Sequence, residues 1–416
     1  MRDDLRVDIP TEQLLEALLA PRIVIRADRQ NASFPSGQTA IVTSALLAAR
    51  CGAQIFLDIP EVPLAGPQPP IQGKAFLSGM TALGNDLMPG RAWTVGLPRE
   101  RADLTLLIGD TPPRTHSVSN IAVSGNEWAG SIGSTGTRWH AMAPIGALAA
   151  AGLVAGEVFK SSMRRLRSGA RNHYFFDQMF APVSDALVRL APVNTPVPRD
   201  FGEFDCVSGG AITHALLFAL SRFCIAGDAR VIEPDINDVT NLNRYSMLRL
   251  SRLGVPKALD LASMLLGEIN VSGIAERYDT SFSSKHGSLR SHVLVGVDHI
   301  PTRWAVQASS PSWLGIGASS HYSAMASYHT AATPCARCLH PTDDELDGLI
   351  PTVSFVSHWA GLWLATIFAL ECAGAATPAA QQSTYATLLR PDLSSAIFRS
   401  GVSRRACCAR CTAVVA

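Results

Sequence analysis

Four cysteines stand in two matched turns, Cys335-Ala-Arg-Cys338 and Cys408-Ala-Arg-Cys411. Each Cys-x-x-Cys turn offers two thiolates, and two such turns brought together supply the sulfurs of one tetrahedral structural Zn2+. Two unrelated thiol turns are the alternative, against which stands the identical Ala-Arg filling. The remaining thiols are Cys51, Cys206, Cys224, Cys372 and Cys407. Cys206 and Cys224 fall in or beside apolar elements and Cys372 in a late apolar helix, places that suit inert core residues. Cys407 adjoins the second turn and is either exposed or a spare ligand.

A second group of polar residues is spread through Val231-Ile-Glu-Pro-Asp-Ile-Asn-Asp-Val-Thr-Asn-Leu-Asn-Arg244, Gly254-Val-Pro-Lys257 and Val295-Gly-Val-Asp298. Glu233, with Asp235 beside it, ends an apolar strand, where a nucleotide's ribose hydroxyls sit in a doubly wound sheet. Arg244 and Lys257 offer a planar fork and a point charge to phosphates. Asp298 offers one carboxylate to Mg2+, the rest of the octahedron being phosphate oxygen and water. Taken singly, each has a bland reading: a solvated arginine, a helix-opening lysine, a capping aspartate. Their order and spacing carry the argument.

The elements that would position them read as α/β. Glu203 to Val207 is a strand, Ser208-Gly-Gly-Ala211 a tight turn and Ile212 to Arg222 a helix. Strands follow at Ala229 to Glu233, Ser291 to Val297 and Trp313 to Gly317, with a helix from Lys257 to Leu266. Strand, glycine turn, helix, strand is the nucleotide-binding unit, its ligand expected at the strands' carboxyl ends. The first half repeats the plan in eroded form: strands at Arg22 to Arg26, Gln54 to Asp58 and Asp103 to Ile108, a turn at Ser36-Gly37 and a helix from Thr39 to Arg50. Apolar helices near Pro144 to Phe159 and Trp359 to Cys372 lie late in each half. This alternation, twice in one chain, predicts an internal duplication, although any two α/β domains look alike at this level. Pro196 and Pro198 mark a linker.

Together these motifs resemble the ubiquitin-activating-enzyme-like (ThiF/MoeB-type) adenylating superfamily. Its strand-end acid, Asn-Leu-x-Arg loop, Gly-x-Pro-Lys helix start, strand-end Asp and paired Cys-x-x-Cys turns match Glu233, Asn241 to Arg244, Gly254 to Lys257, Asp298 and the four cysteines, in order. The likeness covers Phe204 to Cys411, with the first half a faint copy. It implies two doubly wound Rossmann-like domains in tandem, the C-terminal one carrying the zinc: a degenerate, inactive adenylation-like domain over 1–192, a linker over 193–202 and an active ATP-binding domain over 203–416. It implies ATP-dependent adenylation of the C-terminal carboxylate of a ubiquitin-like or sulfur-carrier-like β-grasp protein. Arg244, Lys257 and Asp298 would act on the phosphates and Mg2+, Asn241 would orient nucleotide or phosphate, and Gly209-Gly210 would bring backbone N–H groups close. Arg22, Arg26 or Arg29 of the inactive half would reach the phosphates.

The chain departs from that pattern in four places. Only the central glycines of Gly-x-Gly-x-x-Gly remain, the strand-end acid is Glu rather than Asp, Arg244 is followed by Tyr245 where the family commonly has Gln, and Leu339 to His358 holds no cysteine where thioester-forming relatives carry their nucleophile. Direct transfer to an acceptor, or to a cysteine on a conjugating enzyme, follows. An adenylyltransferase acting on a short ribosomal peptide and a non-catalytic scaffold binding a β-grasp partner are the alternatives.

Composition sets the frame. Hydrophobic residues make up 47% of the 416 and charged ones 17%, enough apolar material for more than one core. Lys+Arg 35 against Asp+Glu 34 gives a net charge of +1, no basis for a nucleic-acid or membrane-surface partner. The apolar run Ala141 to Gly156 reads as a buried helix rather than a membrane span. No basic-then-apolar leader opens the chain, so a cytoplasmic, reducing location is expected.

Overall fold

Parallel strands covered on both faces need apolar side chains at nearly every position, and Ile23-Val-Ile25 and Phe204 to Val207 are such runs. Asp205 is the exception. It is fully buried on its strand, and Arg230 of the neighbouring strand grips both its oxygens at 2.8 Å while Arg290 N–H donates to one. The computed structural model describes residues 7–114, 117–140, 144–343, 353–375, 377–389, 396–405 and 408.

Two sheets form. The first contains β1 (Arg22–Arg26), β2 (Gln54–Asp58), β3 (Thr94–Val95), β4 (Ala102–Ile108), β5 (Ser117–Gly125), β6 (Ala129–Gly133) and β7 (Ala186–Arg189), in the order β3-β2-β1-β4-β5-β6-β7. The second contains β8 (Glu203–Val207), β9 (Gly227–Ile232), β10 (Ile269–Ile274), β11 (His292–Val295), β12 (Trp313–Ser320), β13 (Ser323–Thr330), β14 (Ser383–Thr387) and β15 (Ile397–Ser400), in the order β10-β9-β8-β11-β12-β13-β14-β15. Counted within each sheet, both run 3-2-1-4-5, the doubly wound order, in parallel and then continue as antiparallel strands. Both place their longest helix between the sixth and seventh strand: Ile145–Arg164 in the first half, Ser354–Cys372 in the second. The architecture is two Rossmann-like sheets in tandem.

Those two helices meet between the sheets and are buried almost end to end, which is why they are apolar all round. Both meet the length and apolarity of a membrane span, yet both lie inside the fold. Gly152 lets them touch: a Cβ there would fall 2.8 Å from the Trp359 ring. His358 Nε2 lies 3.0 Å from Leu148 O, and Ser354 Oγ donates to Leu47 O at 3.0 Å. One apolar core runs through the contact from sheet to sheet.

Three local expectations change. Ser36-Gly37 is not a turn but lies inside the Pro35–Arg50 helix, where Gly37 permits contact with Asn31: a Cβ would meet Asn31 O at 1.9 Å. The helix opened by Lys257 stops at Ala262, because Ser263 N–H and Oγ cap it by bonding Asp260 O. Cys224 is exposed at a left-handed position after the Ala211–Leu220 helix rather than packed in the core. Residues 193–202 carry no regular element, and Phe201 packs inward against Phe223 and Phe368.

Candidate functional site

Val207 of β8 lies opposite both Ile232 of β9 and Val295 of β11, so these strands end level and their following residues share one edge of the sheet. Ser208 leaves β8 with φ +126°, an uncommon setting for a residue with a side chain, and its hydroxyl accepts Gly210 N–H at 3.0 Å. Gly209 is obligatory by packing: a Cβ would sit 2.9 Å from Glu233 Cγ and 3.1 Å from Lys257 Cβ. Glycine turn, strand-end acid and helix-start lysine are thus in direct contact.

Glu233 is buried, with Oε2 accepting Gly209 N–H at 2.7 Å and Oε1 accepting Asp235 N–H at 3.1 Å. Its carboxylate ties the turn to the chain leaving β9. Lys257 Nζ donates to Asp235 Oδ2 at 2.9 Å, an ion pair in which the lysine is nearly covered and the aspartate exposed. Burial pulls the Lys257 ammonium toward neutrality, but Tyr245, Asp235 and Glu233 outweigh it and hold its pKa above the ordinary value. The Gly254 to Lys257 segment is laced to the post-β9 chain by Asn237 N–H to Val255 O, Gly254 N–H to Asn237 O and Lys257 N–H to Asp235 O, at 2.8, 2.8 and 2.9 Å.

Asn241 is buried, and its Oδ1 accepts Asp238 N–H at 3.0 Å in a reciprocal cap. Arg244 donates to Thr240 O at 2.7 Å and Asn243 Oδ1 at 3.0 Å, its guanidinium over the Tyr245 ring. Asp298 stands exposed three residues beyond β11, on the same edge as the glycine turn. The structure therefore gathers Gly209, Gly210, Glu233, Asp235 and Lys257 into contact, sets Asn241 and Arg244 on the adjoining loop, and places Asp298 across the edge.

Sequence reasoning gave no role to three participants, noting Tyr245 only as a departure from the family pattern. Tyr245 is buried beneath Arg244 and Lys257, and burial raises its phenol pKa. His214, in the first turns of the Ala211–Leu220 helix, lies 4.8 Å from the Tyr245 ring. Neither of its ring nitrogens has a hydrogen-bond partner, and burial, aided by Arg50 and Lys257, takes its pKa down to about 3. Arg50 comes from the first half, where its place after an apolar helix gave no hint of a distant target. Arg22 and Arg26 instead pair with Glu100 and Asp58 of their own half, and Arg29 is exposed.

The first half's equivalent edge is filled. Asn31, fully buried, donates to Asp110 Oδ1 at 2.8 Å and Asp28 Oδ1 at 3.1 Å, and accepts Trp139 N–H at 3.1 Å. Gly109, at φ +65°, exists to admit it.

Away from the crevice, Cys335, Cys338 and Cys408 are buried together, their sulfurs within 4.8 Å of one another. A tetrahedral zinc with four thiolates requires sulfur separations of about 3.8 Å, and Cys335 lies 3.9 Å from Cys338 and 3.3 Å from Cys408. Arg405 N–H points at Cys338 Sγ at 3.5 Å, a bond that favours thiolate. Three soft donors at this spacing fit zinc. Cys411 and Cys407 lie outside the described residues. Burial pushes Cys51 up to about 11, Cys372 to about 12 and Cys206 higher, so none of these is an activated nucleophile.

Fold and edge together define a protein of two Rossmann-like α/β sheets in tandem. Residues 22–176 match the family described as the BilD N-terminal domain. The uncharacterized protein y4jF of Sinorhizobium fredii (strain NBRC 101917 / NGR234) is 25% identical over 299 residues, 70% of this chain and 54% of that protein. The chain thus spans about half the length of that curated relative. Similar solved structures include E. coli MccB with MccA-N7isoASN (15% identical, TM-score 0.43, 70% of this chain and 97% of that one). MccB with ATP gives 14% and TM-score 0.42 over the same shares, and PaaA 11% and 0.36 over 45% of this chain and 61% of that one.

Proposed function

We propose that the second half binds ATP at the edge formed by β8, β9 and β11 and adenylates the C-terminal carboxylate of a polypeptide, a ubiquitin-like or sulfur-carrier-like β-grasp protein in its specific form. A carboxylate oxygen would attack the α-phosphorus as the bond to the leaving pyrophosphate breaks, giving an acyl-adenylate. The obstacle is mutual repulsion of two anions, and fixed cations remove it. The observation that carries this reading is the contact of Gly209, Glu233 and Lys257, which puts an ammonium whose pKa is held above its ordinary value beside the opening of the Ala211–Leu220 helix. A phosphate arriving there would take over Lys257 from the exposed Asp235. Glu233, its oxygens engaged by backbone N–H groups, holds the turn and reaches the ribose only through its remaining lone pairs. Asn241 and Arg244 would orient the phosphates, and Asp298 would hold Mg2+, which supplies Lewis-acid polarisation when bound. The filled edge of the first half suits a partner that supports the site without a nucleotide of its own.

The non-nucleophilic environments of Cys51, Cys206 and Cys372 favour a product leaving by direct transfer or onto a partner's cysteine. They equally suit a short peptide as substrate. ATP–pyrophosphate exchange separates the cases: exchange with a β-grasp protein ending in glycine supports the specific form, exchange with a short peptide the alternative, and none with either leaves a binding scaffold. Lys257→Ala, Arg244→Ala and Asp298→Ala are each expected to remove exchange while the fold persists by circular dichroism.

A further inference from the structure

Each half ends its first crossover helix with an arginine that leaves its own domain. Arg50, closing the Pro35–Arg50 helix, is fully buried and crosses to the second half, where Nη1 donates to Leu242 O and Nη2 to Leu248 O at 2.6 Å and Ser246 O at 3.2 Å. Arg222, just past the Ala211–Leu220 helix, crosses the other way and donates to Pro67 O at 2.9 Å and Pro69 O at 3.0 Å, its guanidinium 4.2 Å over Phe218. Both target the chain that follows the second strand of the opposite sheet. In the second half that chain is the segment holding Asn241, Arg244 and Tyr245.

Neither guanidinium has a carboxylate partner among the described residues, and burial lowers both to about 9. A buried cation held only by carbonyl dipoles is an expensive arrangement, so each carbonyl it grips is held firmly. The rest of the loop has little regular structure: one short 3-10 turn at Val239–Asn241 and apolar packing of Leu242, Tyr245 and Leu248 with Met88 of the first half.

We infer that Arg50 is a positioning residue for the proposed nucleotide site: the first half, through this side chain, sets the conformation of the Asn241 to Leu248 loop on which Arg244 and Tyr245 depend. The site of the second half is incomplete without the first, and the contribution is a clamp on backbone carbonyls rather than a charge on phosphate. This rests on the adenylation reading for its consequence, but the clamp itself is independent of it.

The test uses the full-length chain and compares Arg50→Met with Arg222→Met, two equally buried interface arginines. Amide hydrogen exchange across residues 239–250 should accelerate at least about tenfold in Arg50→Met, the loss of several charge-assisted bonds, and stay at the wild-type rate in Arg222→Met. The affinity for ATP with Mg2+, measured by calorimetry, should fall by about tenfold or more in Arg50→Met, change less than about twofold in Arg222→Met, and recover in part in Arg50→Lys, which keeps charge and donors. Where Arg50→Met does not fold, Arg50→Lys carries the exchange comparison with a smaller acceleration. Unchanged exchange over 239–250, or equal loss of ATP affinity in both methionine variants, overturns the inference. A wild-type chain that binds no ATP defeats the proposed function instead, and the exchange comparison still decides the clamp.

Discussion

Lys257 Nζ and Asp235 Oδ2 are 2.9 Å apart across a sharp gradient of exposure, the lysine side chain 9% exposed and the aspartate 64%. The two ends of this bond are therefore unequal in what their removal leaves behind. Asp235→Ala takes from a covered ammonium its carboxylate partner, leaving it Tyr245 and Glu233, and is expected to lower unfolding free energy by about 1–3 kcal/mol, whereas Lys257→Met leaves a solvated Asp235 carboxylate and one lost contact to Tyr245 and should cost about 1 kcal/mol. Urea denaturation of both variants checks the order. Under the proposed adenylation the ranking reverses: Lys257→Met is expected to lose pyrophosphate exchange and Asp235→Asn to retain it, because phosphate would replace the carboxylate.

Gly209→Ala tests the contact that carries the functional reading. The added methyl would lie 2.9 Å from Glu233 Cγ and 3.1 Å from both Glu233 Cβ and Lys257 Cβ. Overpacking of this kind costs about 1–3 kcal/mol, and the displaced Glu233 would release Asp235 N–H as well. The expected result is a lowered melting temperature together with ATP affinity reduced at least about tenfold by calorimetry. Gly254→Ala, where a Cβ meets nothing but φ is +80°, should lose stability by backbone strain alone and keep measurable ATP affinity.

Acid stability reports the buried histidines. His214 and His358 titrate at about 3 and about 4 in the folded chain, both through burial, against an ordinary value of 6.5. Below 6.5 the unfolded chain binds protons that these rings refuse, so stability is full above about 6.5 and is lost as pH falls toward 4, by about 1.4 kcal/mol per pH unit for each ring. His214→Leu should flatten the slope between pH 4.5 and pH 6 by about one proton, with little loss at pH 7, since neither His214 nitrogen is bonded. A slope unchanged by this substitution would count against the assigned environment.

Metal content is the fourth expectation. Atomic-emission analysis of protein purified without added metal should find one zinc per chain, falling in Cys335→Ser and Cys408→Ser. Chelation at neutral pH should lower the melting temperature of the wild type and leave pyrophosphate exchange intact until unfolding begins, because structural zinc contributes folding energy and lies outside the crevice. Cys224→Ser, at an exposed position, should change neither.

Much of this was legible in the chain and some was hidden for physical reasons. The strands β1, β2, β8 and β9 announced themselves because a covered parallel strand tolerates little but apolar residues, and Gly209-Gly210 marked the turn between β8 and its helix. The antiparallel additions β13 to β15 escaped notice because strands such as Ser383–Thr387 are built from small polar residues. Gly37 misled, since a glycine needed for close approach looks in sequence like one needed for a turn. Glu233, Asp235, Lys257 and Asp298 could be nominated because each sits at or just beyond the end of a readable element, and Asn241 and Arg244 because their loop matches the family's Asn-Leu-x-Arg pattern. Arg50 could not, because its partners are backbone carbonyls that only the docking of one half on the other brings near; His214 could not, and Tyr245 stood out only as a departure from the family pattern, because their mutual ring contact joins a helix to a distant loop of the same half.

The close approach of Gly152 to Trp359 has a bearing on dosage. A two-part machine assembled from separate chains loses its second part on dilution, as mass action dictates. Here the parts are tethered in one polypeptide and seated with no room for a methyl group between them, so their effective concentration is fixed by the chain itself. Whatever the second half does with the help of the first should then be as constant per molecule in a sparse preparation as in a crowded one.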